Sequence, residues 1–441
     1  MKRILTLIFG ALAWGDLWSP LASAQGILVI EGATVVSPHL DTPRSGASVV
    51  IQNGRIEAVD DATAVAVPDR ATVIDGRGKW VIPGIVEFHS HGIGPDELRR
   101  ALALGVTTAH TIARLESPAE RVELSHESAT PSPRLVLLDG WVGEFMERMS
   151  GQVVSKPQSA EEARRDVADM RRAGASAIKI WQDDGSLWFD EGNRFPPVPR
   201  DALYALVESA HDAGMQVAIH AWRLPFFRDA IDAGVDAVIH PVADSIVPLP
   251  LWSRVREQGL TWTTTMSVLL VYGDPKEYAE RILSDARLVA NLDEAMREQL
   301  LADSVASEFA NQAFMPTLAA NLDTYMNTVQ QNTRNALANE VTVVVGSDAP
   351  PGVGTHLEIE LLAETGLTPL QILAAATLNG ARALGLDDRL GTIESGKLAD
   401  LVVLTADPLE DVRNLRAVAM VIKGGHTFAP NALVAPESSD R

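Results

Sequence analysis

Ala213-Gly214-Met215-Gln216-Val217-Ala218-Ile219-His220 and Ala233-Gly234-Val235-Asp236-Ala237-Val238-Ile239-His240 repeat one pattern: a helix end, a glycine, then an apolar run. A glycine just past a helix takes the left-handed conformation that satisfies the last carbonyls. An unbroken apolar run is the mark of a strand covered on both faces in a parallel sheet. The same joint recurs at Leu104-Gly105-Val106, Ala173-Gly174-Ala175 and Gln258-Gly259-Leu260. Repeated βα units from Ile85 to about Pro350 match a (β/α)8 TIM barrel in size. The competing arrangement, an open doubly wound sheet, lacks its glycine-rich phosphate loop after the first strand.

Working outward, strands are expected near Val86–Phe88, Thr107–Thr111, Leu135–Leu138, Ala177–Ile180, Val217–Ile219, Ala237–Ile239, Thr261–Thr265 and Val341–Val345. The stretch Lys276–Asn339 is helix-prone and reads as an insertion of two or more helices that covers the barrel mouth or joins a subunit interface. Both chain ends have another texture. Ile27–Pro83 and Gly391–Phe428 are short Val/Ile-rich runs broken by turns such as Asn53-Gly54, Asp75-Gly76 and Gly424-Gly425. The expected organisation is a composite β-sandwich domain from residues 25–83 and 386–430 around an α/β barrel of residues 84–385.

The chain has 441 residues, 46% of them hydrophobic, enough for a large core. Its net charge of −21 opposes attraction to nucleic acid or anionic membrane. Cysteine is absent, which excludes disulfides, thiolate catalysis and Cys-bound zinc, so any metal must be held by nitrogen and oxygen. Met1-Lys2-Arg3, the apolar run Ile4–Trp14 and Ala22-Ser23-Ala24 read as a signal peptide over residues 1–24 and predict a secreted or periplasmic protein with no stable membrane insertion after cleavage. A homo-oligomer is compatible with the sequence.

Barrel sites lie at the C-terminal strand ends, and metal-binding side chains gather there. His89 and His91 close the first strand with a spacing of two that puts both rings on one face. Lys179 lies in the fourth, His220 and His240 end the fifth and sixth, and Asp348 follows the eighth. Taken singly, each histidine reads as a structural residue, the lysine as a snorkelling side chain and the aspartate as a helix cap. Together they are costly to bury unless paired or bound to metal.

These residues sit in motifs that resemble the amidohydrolase superfamily in its binuclear-metal branch. The matching pieces are Val-Ile-Pro-Gly-Ile-Val-Glu-Phe-His-Ser-His-Gly (81–92), Gly-Val-Thr-Thr (105–108), Ala-Ile-Lys-Ile (177–180), His220, His240, Gly-Ser-Asp-Ala (346–349), Gly-Leu-Thr-Pro-Leu-Gln-Ile-Leu-Ala-Ala-Ala-Thr (366–377) and Gly-Thr-Ile-Glu-Ser-Gly-Lys-Leu-Ala-Asp-Leu-Val-Val-Leu (391–404). Within it the chain is similar to the imidazolonepropionase and prolidase-like dipeptidase group. The resemblance implies two divalent ions, zinc foremost, with manganese or cobalt as replacements. It implies that His89, His91 and Asp348 hold one and His220 and His240 the other, with Lys179 carboxylated on Nζ between them. A metal-bridging hydroxide would attack the carbonyl, and Asp348 would shuttle the proton to the leaving nitrogen.

Two positions depart from the pattern. Glu87 stands where Asp is usual, and His110 stands where prolidase-like relatives often carry a carboxylate-binding Arg, which leaves Arg114 or Arg223 for that task. Trp141, Trp181 and Trp222 belong to an aromatic set in the expected top loops, which suits a stacked apolar substrate group. The expected activity is hydrolysis of an amide bond in a small molecule such as a dipeptide or N-acyl amino acid. Competing readings are lactone, ester or phosphoester hydrolysis, a mononuclear deaminase, and a catalytically silent secreted metal-binding protein.

Overall fold

A computed structural model describes residues 26–62, 68–112, 131–150, 154–189, 194–305 and 315–434. The expected signal peptide and Arg114 lie outside them. Among the described residues, no helix is long and apolar enough to cross a membrane.

The chain begins with β1 (Ile27–Val35), β2 (Arg44–Gln52), β3 (Arg55–Asp61), β4 (Thr72–Asp75) and β5 (Trp80–Pro83). The parallel-sheet strands follow: β6 (Ile85–His91), β7 (Val106–Ile112), β8 (Arg134–Leu138), β9 (Gly140–Val142), β10 (Ala177–Trp181), β11 (Gln216–His220), β12 (Ala237–Ile239), β13 (Thr261–Thr263) and β14 (Val343–Val344). It closes with β15 (Leu401–Leu404), β16 (Val418–Lys423) and β17 (His426–Phe428).

Strands from both ends do combine, but as one continuous eight-stranded sheet, β17-β16-β15-β5-β1-β2-β3 with β4 also on β1. One hydrogen-bonded path thus joins strands from both chain ends. The reason lies in β1, whose residues Leu28–Glu31 pair with β4 while Thr34–Val35 pair with β5 on the same edge. β5 then pairs antiparallel with β15, Trp80 opposite Leu404, and so ties the two ends of the chain together. The sheet has its own core, including Ile30, Val49, Ile51, Leu401 and Val403. It is fixed to the parallel array by a buried Arg134–Asp400 ion pair of 2.8 Å.

The parallel strands form a three-stranded sheet, β6-β7-β8, and a six-stranded sheet, β9-β10-β11-β12-β13-β14. Loop hydrogen bonds join them on one side, from Phe88 N to Val345 O (2.8 Å) and Ser347 N to His89 O (3.0 Å). On the other side no ladder links β8 to β9 among the described residues, so the expected closed barrel is interrupted here. At that break the Asp139 carboxylate, rather than a backbone carbonyl, accepts from Ser176 N at 3.0 Å. β10, β12 and β13 are buried along their whole length, as strands covered on both faces must be.

All five joint glycines have the positive φ that the pattern requires, from 69° at Gly214 and Gly259 to 92° at Gly174. Each returns the chain from a covering helix to the next strand. Helix Leu224–Ala233 shows the packing: Phe227, Ala230 and Ile231 are buried, and the Phe227 ring meets Trp262 edge-on at 5.5 Å. Burying one such phenylalanine is worth about 1.5–3 kcal/mol. The insertion after β13 contains helices Met266–Gly273, Pro275–Leu283, Ala286–Val289, Glu294–Val305 and Pro316–Ala338. Val268 and Tyr272 just before the expected insertion, and Met315 within it, reach the main cavity.

Candidate metal centre

The C-terminal strand ends converge on a cavity of about 520 Å³. His89 and His91 sit at the end of β6, and the Nε2 atom of each lies 2.8 Å from Asp348 Oδ1. The His89 ring is 5.5 Å from His240, which is 4.3 Å from His220. Lys179 lies between on β10, fully buried. The structure therefore brings all six expected ligands to one cavity.

Local backbone geometry holds them there. His240 and Asp348 have φ of 85° and 55°, left-handed values that non-glycine residues adopt at a cost of about 1–3 kcal/mol each. Asp348 N donates to His89 O at 2.8 Å. At Gly346 a Cβ would sit 2.6 Å from Thr263 Cγ2 and 2.8 Å from His89 Cβ, so the strand can pass only without a side chain. Thr265 Oγ1 lies 2.8 Å from His240 Nδ1 and leaves Nε2 for the centre, 4.0 Å from Asp348 Oδ2. Trp181 stacks on His220 at 3.4 Å and Trp222 on His240 at 4.7 Å, which fixes both ring planes.

Electrostatics favour the ligand forms of His89, His220, His240 and Asp348. Burial, helped by the nearby lysine, drives His89 down to about 3, and His220 and His240 fall well below their ordinary value, chiefly through burial. Burial opposes ionisation of Asp348, yet the His89 and His240 imidazoles outweigh it and hold the carboxyl well below the usual range. Burial lowers Lys179 to about 7, so a large share of its amine is uncharged near neutral pH.

The donor set fits divalent cations. His220 Nε2 and Lys179 Nζ are buried without a hydrogen-bond partner, a cost that metal coordination removes. His89, His91 and Asp348 by themselves place three ligand atoms within 4.8 Å of one another.

The expected substrate residues divide. Trp141, Trp181 and Trp222 line the cavity. His110 does not: its Nδ1 is 3.0 Å from Phe88 O of the neighbouring strand β6, and burial lowers it to about 4. Arg223 also lies off the cavity wall, paired with Asp184 at 2.9 Å and Asp244 at 3.4 Å.

Three supporting residues went unrecognised in the sequence. Glu87, noted only as a departure, is fully buried and accepts from His89 N and Ser347 N at 2.9 Å and from Thr355 Oγ1 at 2.7 Å. It thereby links β6 to the Asp348 turn. Asp183 is likewise buried and accepts from Gly185 N and Trp222 N. Thr265 orients His240; its place just past β13, where the other strands end in ligands, was the available signal.

Imidazoles, a buried lysine and an ionised aspartate thus gather at the strand ends of a parallel α/β array. The chain belongs to the amidohydrolase family, whose profile matches residues 80–428. It is similar to imidazolonepropionase of Symbiobacterium thermophilum, 28% identical over 420 residues, covering 88% of this chain and 91% of that protein. It is 29% identical to the ochratoxinase of Aspergillus niger over 273 residues, 61% of this chain but only 49% of that protein, about half its length. A solved Xaa-Pro dipeptidase superposes with a TM-score of 0.70 over 92% of this chain and 100% of its own, at 22% identity. The fold is thus of the TIM-barrel type.

Proposed function

We propose that the protein hydrolyses the amide bond of a small substrate, such as a dipeptide or N-acyl amino acid, that carries an aromatic group. The observation behind this reading is a single cavity with imidazoles, lysine and aspartate at one end and Trp141, Phe145, Trp181 and Trp222 along its wall. His89, His91 and Asp348 would hold one divalent ion and His220 and His240 a second, with Lys179 shared between them. Zinc suits these ligands best, manganese and cobalt next. Bound there, the ions would acidify a water and polarise the scissile carbonyl.

The protein's own residues do the rest. Lys179, uncharged in good part, can add carbon dioxide at Nζ with loss of a proton, becoming an anionic oxygen ligand in place of a cation. Asp348 Oδ1 faces both His89 and His91, which leaves Oδ2 to accept a proton and return it to the leaving nitrogen. The stacked Trp181 and Trp222 rings exclude water around the histidines. The basic-then-apolar start of the chain supports action outside the cytoplasm. Metal-loaded protein should release amine from an aromatic member of a panel of dipeptides and N-acyl amino acids, and Asp348→Asn should lose at least a hundredfold in kcat. Cleavage of esters or lactones with no amide turnover would refute this reading.

A further inference from the structure

The cavity wall carries a charge pattern that narrows the substrate further. Among the described residues that line it there is no arginine, and the single lysine, Lys179, is buried at the ligand end. The rest of the wall is largely apolar and aromatic, with Phe145 stacked on Trp181 at 3.5 Å and Trp188 meeting Trp222 edge-on at 5.0 Å. Arg223, the described arginine singled out for binding a carboxylate, is committed to Asp184 and Asp244. The chain as a whole bears −21 and repels anions at long range. A carboxylate set against the aromatic part of this wall, away from the ligand end, would lose its hydration and meet no cation among the described residues, an arrangement folded proteins avoid. The volume, about 520 Å³, falls inside the range of about 300–1,000 Å³ typical of sites for drug-sized ligands.

We infer that the preferred substrate is an uncharged aryl amide, with no free carboxylate beside the scissile nitrogen, and that the aromatic wall selects it over dipeptide-like acids. This rests on the proposed amide hydrolysis and overturns its dipeptide and N-acyl amino acid examples as the best substrates.

The test uses two probes that differ by one carboxylate: N-(2-phenylethyl)benzamide and N-benzoyl-L-phenylalanine. Binding to the metal-loaded full chain is followed by tryptophan fluorescence, and turnover by amine release. The neutral probe should bind at least tenfold more tightly and show the higher kcat/KM. Tyr272, 39% exposed at the edge of the cavity, accepts a cation without burying it, so Tyr272→Arg should narrow the gap at least threefold. Equal or tighter binding of the acid would overturn the inference, and loss of that binding in Arg114→Ala would assign the carboxylate to Arg114. If the neutral probe binds selectively yet neither is cleaved, the proposed amide hydrolysis fails while the charge selection stands.

Discussion

Replacing Glu87 with alanine should loosen the metal centre from behind. The carboxylate is fully buried and accepts three hydrogen bonds, at 2.9, 2.9 and 2.7 Å, from His89 N, Ser347 N and Thr355 Oγ1. Alanine leaves three buried donors without acceptors, each costing about 1–3 kcal/mol. Part of this is offset because a poorly solvated carboxyl is removed, so the net loss should be about 3–6 kcal/mol, a large share of the about 5–15 kcal/mol that stabilises a typical domain. Glu87→Gln should lose less, about 1–3 kcal/mol. Its oxygen still serves the two backbone N–H groups, but its NH2 faces a Thr355 hydroxyl that already accepts from Gly352 N at 2.9 Å. Urea unfolding with and without bound metal gives these differences, and metal analysis gives the accompanying loss of affinity. An unchanged unfolding midpoint and metal content in Glu87→Ala would show that Glu87 does not tie His89 to the Asp348 turn.

Lys179→Ala should lose bound metal, with partial recovery on adding a short carboxylate; two ions per chain retained without one would refute a bridging carbamate. Burial pushes Asp183 up to about 7 from an ordinary 3.8, so its native state binds a proton that the unfolded chain releases between those values. The stability of the wild type relative to Asp183→Asn should therefore fall as pH rises from about 4 to 7, and equal differences by urea unfolding at pH 5 and pH 8 would contradict this. Arg223→Ala breaks partly exposed ion pairs only, so it should cost no more than about 1 kcal/mol and leave kcat/KM within about twofold; a large rise in KM would return substrate binding to it.

The parallel strands were legible because each couples a helix-ending glycine to a continuous apolar run, two local signals that agree. Ala177–Ile180 and Val217–Ile219 lie within β10 and β11, and Ala237–Ile239 coincides with β12. The gathering of these six side chains in one cavity was legible for the same reason: each strand end is fixed in sequence. The single terminal sheet was not, because it depends on β1 sharing one edge between β4 and β5, a long-range pairing with no local trace. Nor was the role of Glu87, whose partner Ser347 lies 260 residues away. The distinction between Trp181, which lines the cavity, and His110, which instead meets Phe88 O of β6, is set by the packing of fully buried strands. Such strands lack the alternation that would reveal it.

The most direct test of the account is the metal content of the purified protein, measured by plasma mass spectrometry alongside its turnover of aromatic amides. Two divalent ions per chain, with amine release that disappears on chelation and returns on adding metal, are predicted. Undiminished amide turnover by metal-free protein would contradict the central claim, and activity with a single ion per chain would contradict the two-ion assignment.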